Sequence, residues 1–367
     1  MVTGVRSGPP TVALVHDNFA GPTGMGLVLN HHARWVLEEG WRLCIVGDNI
    51  PEDLRAVAQV IPARKPGRLP ALPEHLEWCR RARVALRNVT ADVVHVHSPF
   101  LADLAHLQTA HFVSQPAFAR GIREPTPGIE GALRRAQAWA TRRLDHGRYR
   151  RLRLSTYLSF VSEFLREEFA HHYGRPRGGW ILSPPAPPWR PPLAVERERA
   201  RAAFGVPDGQ LAVGYLGGTD PRKGFQDVLA LASEPEVHVL LAGSGSQRVT
   251  AGGRPGLGVV DVDRFLAACD VLAAPARFDS APVAVLQGLS RGVPVVTTRT
   301  SGWANAIERH GCGGVWNDRA GPLADACRSA ARVPNTRCRC LVEEFAPKRQ
   351  KNVLIGAYEQ ILAEAAE

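Results

Sequence analysis

One alternation constrains this chain more than anything else, and it occurs twice. Short, continuously apolar runs are each followed by a stretch long enough for a helix. The first series opens with Thr11-Val-Ala-Leu-Val-His16 and turns through Gly21-Pro-Thr-Gly-Met-Gly26. It then enters a predicted helix that runs to about Glu39, with Gly40 as its stop. Strand-like runs follow at Arg42-Leu-Cys-Ile-Val46, Asp92-Val-Val-His-Val-His97, Leu107 to Phe112 and Leu158-Ser-Phe-Val-Ser162. The second series contains Leu211-Ala-Val-Gly-Tyr-Leu216, Val237-His-Val-Leu-Leu-Ala242, Gly258-Val-Val260, Val271-Leu-Ala-Ala274 and Pro294-Val-Val-Thr-Thr298. A strand that is apolar on both faces must be covered on both, the condition of a parallel sheet between helices.

Between the series lies Ser183-Pro-Pro-Ala-Pro-Pro-Trp-Arg-Pro-Pro192, six prolines in ten residues. Such a segment can be neither helix nor central strand, and it predicts a stiff hinge. The expected fold is α/β: two doubly wound parallel-sheet domains, 1–180 and 181–350, with 351–367 a helix returning to the first. Two domains of this kind take their ligand at the strand C-termini, in the cleft between them.

The length of 367 residues suits two such domains, and 45% hydrophobic with 22% charged residues is a globular balance. A formal charge of +10 favours anionic partners. Seven cysteines, an odd number, without a secretory start, read as reduced thiols of a cytoplasmic protein. Cys338-Arg-Cys340 has no second Cys/His pair at zinc spacing. No apolar run approaches the ~18 residues of a membrane span. The expectation is a soluble protein, or one lying on the cytoplasmic membrane face.

The richest segment is Gly214-Tyr-Leu-Gly-Gly-Thr-Asp-Pro-Arg-Lys-Gly224. A strand ends in Gly217-Gly218, and Arg222-Lys223 stand just before a helix. Bare amides and two cations at such a junction suit a diphosphate. The spacing is not that of a P-loop. Asp279 sits at a helix start, where capping of the first amides and ligand binding both remain open. Gln287, eight residues on, lies among Val283, Val285, Leu286 and Leu289. Asp261-Val-Asp263 imitates a metal-binding Asp-x-Asp, but it precedes a helix and is read as a cap. His95-Val-His97, His31-His32 and His171-His172 lack the i,i+4 spacing of helical ligands, so no metal site is expected.

Basic residues cluster at Arg134-Arg135, Arg142-Arg143, Arg148, Arg150-Arg151 and Arg153, interleaved with Leu133, Trp139, Ala140, Leu144, Tyr149 and Leu152. Two readings stay open: a solvated basic helix, or docking onto anionic lipid headgroups. Nucleic acid is not expected, because no recognition module accompanies the charge.

Asp279-x7-Gln287, followed by Gly288-Leu-Ser-Arg-Gly-Val-Pro-Val-Val296, resembles the Glu-x7-Glu motif of glycosyltransferase family 4. Other stretches fall in that family's order: Thr23-Gly24, Asp92 to His97, Thr109-Ala-His111 and Val161-Ser162-Glu163. After them come Arg222-Lys-Gly224, Leu241-Ala-Gly-Ser-Gly245 and Cys269-Asp-Val-Leu-Ala-Ala-Pro275. Ile181-Leu-Ser-Pro-Pro through Arg190, with Gly311-Cys-Gly-Gly-Val315, is similar to the branch containing lipopolysaccharide-core glucosyltransferases.

The resemblance implies two Rossmann-like domains (the GT-B fold) and a retaining transfer from a nucleotide-diphosphate sugar without metal or cofactor. The acceptor would be a glycan or a lipid-linked glycan. Asp279 would accept from donor-sugar hydroxyls while the amides of Ser280, Ala281 and Val283 approach the sugar-diphosphate. Gln287 would meet the ribose diol. Arg222 and Lys223, with Arg190 added from the hinge, would neutralise the departing diphosphate. Gly24, Gly217, Gly218 and Gly243 would let backbone approach the donor, and His111 would lie under its sugar.

Three positions depart from the family pattern. Asp279 is one methylene shorter than Glu, Gln287 lacks the charge, and Pro282 deletes an amide where Gly is common. They motivate the alternative reading, a catalytically degenerate nucleotide-sugar-binding protein acting through a partner.

Overall fold

The computed structural model describes residues 8–19, 24–67, 71–119, 128–152, 154–317 and 321–367, with only the backbone at 128–130 and 134. The expected Thr23 and Arg153, and the side chain of Arg134, lie outside the described residues. The chain forms two compact units: Met1–Pro185 with Pro347–Glu367, and Ala186–Ala346. The crossings fall at 185/186 and 346/347, a few residues from the 180/181 and 350/351 read from the sequence.

Among the described residues, unit 1 carries a seven-stranded parallel sheet of order β3-β2-β1-β4-β5-β6-β7. Its strands are β1 Thr11–His16, β2 Arg42–Gly47, β3 Gln59–Pro62, β4 Val93–Val96, β5 Leu107–Ala110, β6 Tyr157–Phe160 and β7 Gly178–Ile181. The apolar run of β1 explains its central place, since Val12, Ala13, Leu14 and Val15 are all fully buried. On one face Val12 and Leu14 pack with Leu29, Ala33 and Val36 of the helix Gly24–Glu38 and with Leu354, Ile355 and Tyr358 of the helix Pro347–Glu364. On the other, Ala13 and Val15 meet Trp78, Cys79 and Ala82 of the helix Ala71–Leu86. The C-terminal helix is tied further by Lys351, paired with Glu38 and Glu39, and by Gln350, whose Oε1 accepts from the Ser183 amide at 2.9 Å.

Among the described residues, unit 2 has a five-stranded parallel sheet, order β14-β13-β12-β8-β9, and a two-stranded ribbon, β10 Thr250–Ala251 with β11 Arg254–Pro255. The sheet strands are β8 Leu211–Leu216, β9 Val237–Ala242, β12 Val271–Ala274, β13 Val295–Thr298 and β14 Gly313–Trp316. Gly258–Val260, read as a strand, is not one. Leu257 and Gly258 make one backbone bond each to Leu241 and Gly243 beside β9, and the segment then leaves at Gly258 (φ 69°), with Val259 82% exposed. The proline-rich segment is irregular backbone; its second half belongs to unit 2, where the Ala186 and Arg190 amides donate to Phe345 and Ser290 carbonyls. Cys338 and Cys340 stand on the helix Thr336–Glu344, one buried and one exposed. Among the described residues no helix is long and apolar enough to cross a membrane.

Candidate active site

Each sheet reverses its direction of growth once. In unit 2, the chain builds β9 on one side of β8 and β12, β13 and β14 on the other, so the switch point lies between β8 and β12. A crevice opens outside the strand ends at such a point. The two segments that end there are the ones singled out by their chemistry: Gly217 to Gly224 after β8, and Pro275 to Pro282 after β12.

After β8 the backbone turns through Gly218 (φ 63°), whose amide donates to the Ala242 carbonyl at 3.1 Å. A Cβ at Gly218 would stand 2.5 Å from the Ser244 carbonyl oxygen, and one at Gly243 would stand 2.5 Å from the Gly218 nitrogen. Only glycines allow the ends of β8 and β9 to touch in this way. Pro221–Lys223 then forms a single tight helical turn capped by Asp220, whose Oδ1 accepts from the Arg222 amide at 2.9 Å. The same carboxylate pairs with the Arg222 guanidinium at 2.8 Å. Burial pushes the Asp220 acid up, but Arg222 outweighs it and holds the group below the ordinary carboxylate range. Asp220 therefore fixes where Arg222 points. Asp220-Pro221 is the turn-opening signal by which sequence could have singled out Asp220.

After β12, the Arg277 amide donates to the Arg222 carbonyl at 2.7 Å, binding the two segments together. Asp279 is stitched to the turn beyond β13: its amide donates to the Thr300 carbonyl at 3.1 Å, and its carbonyl accepts from Gly302 at 2.9 Å. Burial raises the pKa of its side chain; the nearby Lys223 and Arg222 charges and the Ala281 amide act against that rise. Asp279 does not cap the following helix. Val283–Ser290 has Pro282 as its N-cap residue and no side-chain cap, so Pro282 stands before the first turn rather than in it. The Pro282 carbonyl instead accepts from the Trp303 indole at 2.9 Å. Ser280 is buried, and its hydroxyl finds no partner among the described residues. Ala281 and Val283 are half-buried beside it. Gln287 is half-buried one turn further along the helix, where its carbonyl accepts from Ser290 Oγ at 2.8 Å.

Arg190 is not with Arg222 and Lys223. Its amide is bound to Ser290, at the far end of the helix, and its guanidinium pairs with Glu196 at 3.1 Å. There it lines a cavity of about 230 Å³ with Glu196, Asp263 and Arg291. Asp261, the first acid of the Asp-x-Asp imitation, is a helix cap, accepting from the Arg264 amide at 2.8 Å.

In unit 1 the switch point lies between β1 and β4. Gly24 opens the helix that follows β1, and His97 directly follows β4. His111, just after β5, is half-buried, with Nε2 2.7 Å from His97 Nδ1. Burial, then the neighbouring His16 and His32, press its pKa well below that of an ordinary histidine, so it is neutral at pH 7. Pairwise spacing gave no hint that His32, His95 and His97 converge, because they come from a helix and a strand far apart in the chain.

The long basic helix is Gly128–Leu152. Tyr149 and Leu152 turn inward, while Leu133 and Trp139 are 66% and 52% exposed and Arg143 lies 5.2 Å over the Trp139 ring. Arg148 is paired with Asp103 at 3.2 Å, and Arg142 with Gln115 at 2.7 Å.

Residues 22–180 match the family model described as Glycosyltransferase Family 4, and residues 211–332 the one described as Glycosyl transferases group 1. Over 255 residues the chain is 28% identical to a GDP-mannose-dependent alpha-mannosyltransferase of Mycolicibacterium smegmatis, covering 66% of this chain and 64% of that one. Over 181 residues it is 29% identical to lipopolysaccharide glucosyltransferase WaaG of Escherichia coli K12, covering 44% and 48%. The matched stretches thus span less than two thirds of either relative. Among solved structures, WaaG, a glycosyltransferase involved in lipopolysaccharide biosynthesis, superposes with a TM-score of 0.72 at 18% identity, covering 94% of this chain and all of that one. Anabaena Alr3699/HepE in complex with UDP-glucose gives 0.68 at 13% identity, covering 96% and 100%.

Proposed function

Because the chain belongs to the family 4 glycosyltransferases, we propose that it moves a hexosyl group from a nucleotide-diphosphate sugar to a glycan or lipid-linked acceptor. The product would belong to cell-envelope polysaccharide or lipopolysaccharide. One observation carries the reading: Arg222, Lys223 and Asp279 meet at the switch point of unit 2, joined by the Arg277–Arg222 hydrogen bond. Two cations, one of them braced by Asp220, beside Asp279 suit a ligand with a diphosphate at one side and a polyhydroxyl ring at the other. Donor-bound examples among the structural neighbours, such as HepE with UDP-glucose, fit the same assignment.

In the proposed reaction the bond between the anomeric carbon and the diphosphate oxygen breaks, and negative charge grows on the leaving oxygen. Arg222, already oriented by Asp220, and Lys223 stabilise that charge in place before it forms, which is where such charges act most strongly. These two side chains do the work that a divalent ion does in other transferases, so the transfer needs no metal. The acceptor hydroxyl bonds to the anomeric carbon on the face the diphosphate leaves, and its proton passes to the departing phosphate oxygen. Configuration is retained. Asp279 receives sugar hydroxyls, and Gln287 accepts from one ribose hydroxyl and donates to the other. Cytoplasmic residence on an anionic membrane, docked through the basic cluster of Arg134 to Arg153 in the sequence with Leu133 and Trp139, would present the chain to a lipid-linked acceptor.

Mass-spectrometric screening of nucleotide sugars for binding and slow hydrolysis tests this. At least one donor should bind and release its diphosphate, and Lys223→Ala should slow that release at least ~100-fold. A donor that binds tightly and is never cleaved would favour the degenerate binding protein instead. No binding by any nucleotide sugar would refute both.

A further inference from the structure

The proposed transfer has no use for a buried group of histidines in unit 1. His32 projects from the helix Gly24–Glu38, His95 from β4, and His97 from its end; their exposures are 0%, 0% and 8%. Among the described residues, both ring nitrogens of His32 and Nε2 of His97 have no hydrogen-bond partner. Buried imidazole nitrogens left so are costly, and they point to an occupant that accepts lone pairs.

We propose that His32, His95 and His97 bind a single transition-metal cation of the zinc or cobalt type. One nitrogen from each ring lies within 4.8 Å of the others. Ligands of a tetrahedral ion ~2.1 Å away stand ~3.4 Å apart, a spacing that ring rotation can reach.

Two of the three rings have the outer partners that orient metal ligands. His95 Nδ1 lies 2.7 Å from Tyr358 Oη, and His97 Nδ1 lies 2.7 Å from His111 Nε2. Nδ1 held from outside leaves Nε2 of each ring for the ion and fixes its tautomer. His95 Nε2 also contacts Thr109 Oγ1 at 2.7 Å, but that hydroxyl keeps Ser159 Oγ, likewise at 2.7 Å, when an ion replaces it. An all-imidazole set without carboxylate selects zinc, cobalt, nickel or copper over magnesium and calcium.

The test uses the tag-free full chain, stripped with chelator and titrated with cobalt chloride under visible absorption and equilibrium dialysis. Equimolar uptake should bring d–d bands that zinc then removes. His32→Leu should lower cobalt affinity at least ~100-fold, and Tyr358→Phe, which keeps the ring and loses the outer hydroxyl, about 10-fold. If His32→Leu does not fold, Tyr358→Phe decides alone. Absence of cobalt uptake would overturn the proposal. Uptake indifferent to these substitutions would place the ion elsewhere, such as at the surface pair His171 and His172, and overturn it equally.

Discussion

Gly224→Ala separates a positioned phosphate pair from a merely basic turn. Gly224 ends the Pro221–Lys223 turn at φ 75°, and a Cβ there would lie 2.0 Å from the Pro275 carbonyl oxygen, where real contacts stay beyond 3.0 Å. The segments after β8 and β12 must therefore part by about 1 Å. That parting falls on the 2.7 Å hydrogen bond from Arg277 to the Arg222 carbonyl, stretching it out of range. An alanine in the left-handed region costs ~1–2 kcal/mol. The lost hydrogen bond adds ~1 kcal/mol, and reduced freedom of the unfolded chain returns ~0.4–1 kcal/mol. The net loss is ~2 kcal/mol, read as a lower urea midpoint. If Arg222 and Lys223 act at the leaving group as proposed, displacing them by ~1 Å lowers turnover ~100-fold. Gly209→Ala is the control: φ is 78°, but a Cβ there meets nothing within 4 Å. It should lose ~1 kcal/mol to the same left-handed strain and keep full turnover. A folded Gly224→Ala protein that turns over donor as fast as Gly209→Ala would refute the placement of Arg222 and Lys223 at the leaving group.

Lys223→Ala should lower turnover at least ~100-fold with the fold intact, since a preorganised charge at a leaving group is worth ~3 kcal/mol; steady-state kinetics on an accepted donor checks this. Gln287→Glu should hold or tighten nucleotide-sugar binding in calorimetry, while Gln287→Leu should weaken it ~5- to 150-fold; equal affinities would remove Gln287 from the site. Burial, opposed by the Ser114 hydroxyl, raises the Asp145 carboxyl from 3.8 to about 6, so the folded state binds this proton more tightly than the unfolded one. Its contribution is fully present below pH 3.8 and is lost as pH rises through 6; Asp145→Asn should thus gain up to ~3 kcal/mol over wild type at pH 7 and nothing at low pH, by urea unfolding. Vesicle co-sedimentation should rise with anionic lipid and fall with salt, because the attraction is screened over ~10 Å at 0.1 M; indifference to lipid charge would make the arginine helix a solvated face.

Strands that are apolar on both faces were legible because each carries its burial in its own composition, as β1, β8 and β9 do. Gly258–Val260 has the same composition and fails, since a strand also needs a neighbour's full ladder and here only two backbone bonds form. β14 was missed for the opposite reason. Gly313-Gly-Val-Trp316 lacks an apolar run, and Gly313 serves by having no side chain, since a Cβ there would stand 1.9 Å from the Val295 carbonyl oxygen. Composition reports what a segment buries; it does not report what comes close to it.

The same distinction divides the site. Arg222, Lys223 and Asp279 were readable because a doubly wound sheet brings the turns after its two switch-point strands together whatever lies between them in sequence. Given strand order β12-β8, a turn rich in glycine and cation after one and an acid after the other must adjoin. Arg190 and the histidines obey no such rule. Arg190 sits where the irregular proline segment crosses the end of a helix, and Glu196 rather than a strand end fixes its guanidinium. His32 reaches His95 and His97 only because the helix after β1 packs over β4 with that side inward, a matter of helix rotation that no pair spacing encodes. Chemistry carried by topology can be read from sequence order. Chemistry carried by the rotation of one helix needs the coordinates, and the unpartnered nitrogens of His32 became visible only there.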